Sequence, residues 1–239
     1  MKAFRNLFTI VLITSLGFST SAFSGNSDKT EIRNVRDFQA VKVSTGIDLY
    51  LEMGDTEEVK VVADDDIIDD LITEVENGTL RIYMKKSNWN NWNWGHSKAR
   101  KVYVTVKELN EIDASSGSDV ESENTLKGES LKVKASSGSD VDLDIIYKNF
   151  SLNTSSGSDA KIKGKTKNFE ADASSGSDIN AKELESVICN VRVSSGSDAS
   201  VNVSSELYAK ASSGADVYYY GNPQVKDIDE SSGGDVTHR

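Results

Sequence analysis

The chain is poor in the residues that staple a fold or run its chemistry. Its 239 residues include one cysteine, Cys189, and one proline, Pro223. A single cysteine excludes an internal disulfide framework. It leaves either a free reactive thiol or a small buried apolar side chain. Only two histidines are present, His96 and His238, so a nucleophilic serine would have few bases to choose from. Basic residues are also short, with 27 Lys and Arg against 38 Asp and Glu, a net charge of −11. That balance argues against nucleic acid and anionic membranes as partners, because both require basic patches. Hydrophobic residues make up a modest 37%. Disorder is still not expected, because the apolar residues recur in regular alternation.

The start, MKAFRNLFTIVLITSLGFSTSAFSGNS, sets Lys2 and Arg5 ahead of an apolar stretch, Leu7–Phe18, and then small residues around Ala22. This pattern predicts a cleavable export signal over residues 1–24, followed by a leader over residues 25–37. Losing Lys2 and Arg5 would take the net charge from −11 to −13. No second apolar run has spanning length, so an integral membrane protein is not expected. The expected location is the periplasm, the outer cell surface or the medium.

One short phrase then dominates the sequence. ASSGSD returns as KASSGSD, NTSSGSD, DASSGSD, RVSSGSD, KASSGAD and ESSGGD. Its glycines are Gly117, Gly138, Gly157, Gly176, Gly196, Gly214 and Gly233, separated by 21, 19, 19, 20, 18 and 19 residues. Self-similarity near 20 residues signals a solenoid. Five residues before each glycine stand Ile112, Val133, Leu152, Ala171, Val191, Ala209 and Ile228. Three after stand Val120, Val141, Ala160, Ile179, Ala199, Val217 and Val236, with polar residues between. Period-2 alternation predicts strands with one buried face, turned at the glycine. Cys189 falls on an inward position with Leu131, Phe150, Phe169 and Leu207, which favours the buried over the reactive reading. A unit this small cannot bury its apolar face alone, so the units must stack.

An eighth mark stands upstream at Gly46, in VKVSTGIDLYL. The expectation is an all-β fold, a parallel β-helix of about eight coils of 18–21 residues over residues 38–236. A small α/β or β insertion, about residues 52–110, follows the first coil, and the tandem coils occupy about residues 111–236. Within the insertion a short helix is expected near Asp65–Leu71, and Asn77-Gly78 reads as a type I′ hairpin turn. Glu230 breaks the apolar pattern of the last copy, as a capping coil does.

STGIDLYL, the VENGTLRI hairpin and the tandem marks together resemble the auto-transporter adhesin head domain, or head GIN domain, over roughly residues 38–236. The resemblance implies a right-handed helix akin to pectate lyases, a role in adhesion, and no catalytic residues to carry over.

Four features could carry chemistry. Asp119, Asp140, Asp159, Asp178 and Asp198, with Asp216 and Asp235 after them and Asp48 as a candidate head, would stack about 4.8 Å apart. Bare carboxylates at that spacing repel by about 1 kcal/mol in water. Either Ca²⁺ sits among them, or each accepts hydrogen bonds from turn amides and hydroxyls; the chain lacks the glycine-rich calcium nonapeptide, which favours the local account. The serines flanking each glycine, such as Ser116 and Ser118, suggest a hydroxyl ladder rather than nucleophiles. SNWNNWNWGHS gathers Trp89, Trp92 and Trp94 among asparagines. Such a segment either stacks sugar rings or plugs one end of the core. In Tyr218–Tyr220, parity turns Tyr219 inward. The function expected is a non-catalytic adhesion module binding a glycan or cell-surface protein. Alternatives are a carbohydrate lyase or hydrolase and a purely structural envelope protein. No cofactor is expected beyond Ca²⁺. A homodimer through the end strands or the insertion is a further expectation.

Overall fold

The computed structural model describes residues 28–85 and 99–239. The expected export signal and the segment holding Trp89, Trp92, Trp94 and His96 lie outside the described residues. In chain order the first strands are β1 (Asp28–Arg33), β2 (Ala40–Val43), β3 (Asp48–Met53), β4 (Glu58–Asp64), β5 (Leu71–Glu76), β6 (Thr79–Met84) and β7 (Arg100–Val106). Next come β8 (Glu111–Ser115), β9 (Val120–Ser122), β10 (Leu126–Ser136), β11 (Asp140–Ser155), β12 (Asp159–Ser174) and β13 (Asp178–Ser194). The last are β14 (Asp198–Ser212), β15 (Asp216–Tyr220), β16 (Val225–Ser231) and β17 (Asp235–His238). The helix expected near Asp65–Leu71 is a single 3-10 turn, Ile68–Asp70.

The sequence repeat is the structural repeat. β11 lies parallel to β12 from Asp140↔Asp159 to Ser155↔Ser174. β13 and β14 continue the ladder, also in parallel. The result is a β-solenoid whose eight marked corners bound about seven turns. Inside, alternation does the packing. Val141, Leu143, Ile145 and Tyr147 point inward, and then Phe150 and Leu152. The parity breaks at Lys148–Asn149, both turned away from the core, where the chain rounds a second corner. Leu131, Phe150, Phe169, Cys189 and Leu207 pair in series across successive coils. The Phe150 and Phe169 rings stack with centroids 5.4 Å apart. Cys189 is fully buried, and burial alone pushes its thiol up to about 12. This is the inert, space-filling reading of the lone cysteine.

The insertion turns out to be part of the stack. β6 lies parallel to β2 and β7 parallel to β3, so together they add a coil beneath the first one. β4 then runs antiparallel to β7, and β5 antiparallel to β6. β1 closes the row against β4. The chain therefore leaves the first coil, builds this end, and steps back over that coil to β8 and β9, which pair with β2 and β3. The hairpin between β5 and β6 turns at Asn77 (φ 51°) and Gly78 (φ 74°), as the Asn-Gly signal requires. At the other end, Ile228 keeps its expected register with Ala209 but is 40% exposed, because no described coil follows it. Glu230 sits opposite Ala211, and its carboxylate accepts the Val236 N–H at 2.8 Å.

Candidate functional site: an acidic groove on the flank

Each SSGSD mark builds one corner, and each of its residues has a separate task. The serine before the glycine and the glycine itself both take positive φ, 58° and 69° at Ser116 and Gly117. Two successive left-handed residues turn the chain sharply while keeping one amide aimed along the stack. That amide bonds the next corner. Gly46 N–H donates to Ser116 O at 3.1 Å, and Gly117 to Ser137 O at 3.1 Å. Gly138, Gly157, Gly176, Gly196 and Gly214 repeat the bond at 3.2 Å, ending on Ser232 beside Gly233. All eight marks thus lie in one column.

The serine after the glycine points inward. Ser118, Ser139, Ser158, Ser177 and Ser197 are fully buried. Ser158 Oγ accepts the Ser155 N–H at 3.1 Å and lies 2.8 Å from Ala135 O in the preceding coil. Ser139 repeats the arrangement with Ser136 N and Ala114 O. These hydroxyls satisfy turn groups that the core would otherwise strand. The two serines flanking each glycine therefore differ. Ser116 and its equivalents face solvent, so only the serine after each glycine brings a hydroxyl into the corner.

The aspartates form the outer column. Asp159 N–H donates to Asp140 Oδ1 at 3.3 Å, Asp178 N–H to Asp159 Oδ1 at 3.3 Å, and Asp198 N–H to Asp178 Oδ1 at 3.2 Å. Asp216 N–H continues to Asp198 Oδ1 at 3.2 Å. One oxygen of each thus serves the backbone ladder, and the second is left over from it. Among the described residues, no three His, Cys, Asp or Glu side chains converge as a metal cage. The oxygens available to Ca²⁺, on Asp119, Asp140, Asp159, Asp178 and Asp198, are strung along a line. Burial raises the Asp119 carboxyl above its usual range, opposed by the hydrogen bond from the Asp140 backbone amide and assisted by the Asp140 and Asp48 charges.

Beside the column runs an open groove of about 550 Å³. Asp48, Asp119, Asp140, Asp159 and Asp178 form one side, and Tyr50, Glu121, Asp142, Lys161 and Asn180 the other. Strand register sets the second side, through Tyr50↔Glu121, Glu121↔Asp142, Asp142↔Lys161 and Lys161↔Asn180. Lys161 Nζ is paired with Asp142 at 2.9 Å. The groove is therefore strongly acidic with an aromatic end. There Tyr50 stacks on Tyr103, centroids 4.8 Å apart and 16° between planes. Lys60 Nζ lies 4.3 Å over the Tyr103 ring. Burial raises the Tyr50 phenol. This aromatic pair is the part that sequence reasoning missed. DLYLEM and RKVYVTV carry the signal, but only once the insertion is seen to be another coil that stacks Tyr103 on Tyr50.

A second groove, about 530 Å³, follows the Lys148–Asn149 corner. Asn168 Nδ2 donates to Asn149 Oδ1 at 2.7 Å, and Asn149 Nδ2 to Ser130 Oγ at 3.2 Å, so its amides serve an internal ladder. Tyr219 points inward as expected, and its ring stacks on His238 at 4.8 Å. That places His238 on the last coil, away from the acidic groove.

Three comparisons place this architecture. A putative adhesin from Bacteroides fragilis superposes with a TM-score of 0.82 at 18% identity, covering 90% of this chain and 98% of that one. A putative adhesin from Parabacteroides merdae gives 0.73 at 18% identity, covering 89% and 96%. A protein from Parabacteroides distasonis described as a putative lipid binding protein gives 0.65 at 21% identity, covering 90% and 98%. At these identities the likeness shows a shared fold. No curated protein matches the chain. The sequence itself matches the family described as putative auto-transporter adhesin, head GIN domain, over residues 37–223. The chain belongs to that family.

Proposed function

We propose that the protein is an exported, non-catalytic adhesion module that takes a glycan along its acidic flank. The family fits a cell-surface or secreted setting. The observation that carries the reading is the groove itself, a row of carboxylates ending in a stacked tyrosine. Carboxylates accept hydrogen bonds from sugar hydroxyls, and an aromatic face packs against the apolar face of a pyranose. The acidic lining repels uronic or sulfated chains and favours neutral or amino sugars. A rigid solenoid presents the groove without an ordering cost in the backbone. The expected tryptophan contact, Trp89, Trp92 and Trp94, falls in the sequence between β6 and β7, outside the described residues, and is tested separately.

The test is a glycan array of neutral, amino and acidic sugars, with and without Ca²⁺. It is repeated on Tyr50→Ala and on a Trp89/Trp92/Trp94→Ala variant. Binding of neutral or amino glycans, weakened in Tyr50→Ala, is expected. Calcium-dependent binding would return Asp119, Asp140, Asp159, Asp178 and Asp198 to the role of ion ligands. Loss in the tryptophan variant alone would move the site off the groove.

A further inference from the structure

The last full strand of the solenoid is unlike every other. All seven residues of β16, VKDIDES, are exposed. On one side it pairs with β14, from Glu206↔Val225 to Ser212↔Ser231. No described residue pairs with it on the other side, and a free edge is a template for another strand. Two of the large exposed apolar side chains of the described protein lie on it, Val225 at 47% and Ile228 at 40%. Lys226, Ile228 and Glu230 share the side that faces the end of the core, because their partners Leu207, Ala209 and Ala211 are all buried.

We propose that β16 pairs antiparallel with β16 of a second copy across a two-fold axis at Ile228, joining two solenoids end to end. The strand is complementary to itself in that register. Ile228 meets Ile228 of the partner subunit, and Lys226 meets Glu230 of the partner subunit on both sides of the axis. Like charges meet only on the outer face, where Asp227 opposes Asp229 of the partner subunit, and Lys210 already holds the Asp229 carboxylate at 2.8 Å. Other registers lose the match. A slip of one residue sets Ile228 opposite Asp227 or Asp229 of the partner subunit and sets the core-facing side of one strand against the outer side of the other. A slip that shifts the axis by one residue sets Asp227 on Asp227 or Asp229 on Asp229 and separates each Lys from its Glu. Within one chain, Lys226 Nζ lies 5.5 Å over the Tyr219 ring and Glu230 bonds the Val236 amide, so both charges are held at the open end. A two-fold pair would give an adhesin two grooves on one rigid body, which raises avidity without new contacts. The proposal stands apart from the identity of the ligand.

Sedimentation velocity of the purified protein over a wide concentration range tests it, with Lys226→Glu and Glu230→Lys variants beside the wild type. The wild type should dimerise, more weakly as salt rises. Each single variant should be monomeric, because each places like charges opposite one another. An equimolar mixture of the two should dimerise again, since every opposed pair is then complementary. Ile228→Ser, at an exposed site that leaves the core untouched, should also be monomeric. A wild type that stays monomeric at every concentration overturns the proposal. So does a dimer that persists in all three variants, or a mixture that fails to re-form one while both variants keep the wild-type melting temperature.

Discussion

At the scale of single residues, the left-handed corners separate two kinds of glycine. Gly157 has φ 67°, and a Cβ there would meet nothing within 4 Å. Its only cost on substitution is backbone strain, and Ser156 beside it already bears the same strain at φ 58°. Gly164 has φ 114°, and a Cβ there would lie 2.0 Å from Ile145 O, a backbone atom that cannot move aside. Urea denaturation should therefore show Gly157→Ala losing about 1 kcal/mol and Gly164→Ala about 3 kcal/mol or more. Equal losses would refute this reading of the corners. The thiol of Cys189 gives a second residue-scale expectation. Its folded value, about 12, lies above its ordinary 9.0. Between those values the folded state holds a proton that the unfolded state has released. The group's contribution to stability is thus intact below pH 9 and is lost as pH rises toward 12. Tyr147, whose phenol burial also raises to about 12 and whose hydroxyl donates to Leu109 O at 2.9 Å, acts in the same sense. A thiol reagent at pH 8 should leave Cys189 unlabelled until urea unfolds the chain. Rapid labelling of the native protein would contradict its place in the core.

At the scale of elements, the aspartate column is a ladder that tolerates its own repulsion. Neighbouring carboxylates about 4.8 Å apart oppose each other by about 1 kcal/mol in water, while the amide of the next aspartate offsets this. Asp159→Asn removes the charge and keeps the acceptor for Asp178 N–H. It should leave the protein as stable or up to about 1 kcal/mol more stable at low salt, with the difference gone near 1 M salt. Thermal melts at the two ionic strengths measure it, and a loss in Asp159→Asn would mean that the charge itself is needed. Much of this element was legible in the sequence, because a column needs only a recurring corner mark, and the repeated phrase around each glycine supplies it even where the steps differ by a residue or two. Parity likewise placed Phe150, Phe169 and Cys189 in one row. It went astray at Ile228, since parity names a side of the strand and not whether another coil covers that side. Spacing also hid the coil of β6 and β7, because no SSGSD mark stands there and its strands pair out of chain order. With that coil hidden, the stacking of Tyr103 on Tyr50 was hidden too.

At the scale of the whole molecule, the repeats give a rod with a filled interior, so recognition falls to its flanks and ends. One flank carries an acidic groove with an aromatic end. The most direct test of that account is calorimetric titration of the best neutral or amino glycan from an array into wild type and Tyr50→Ala, with Asp140→Asn/Asp159→Asn as a third protein. The account predicts saturable binding by the wild type and a loss of tenfold or more, about 1.4 kcal/mol, when the Tyr50 ring is removed. A smaller loss is predicted for the paired asparagines, which keep their oxygen acceptors. Undiminished binding by Tyr50→Ala, or a preference for sulfated chains over neutral ones, would contradict it.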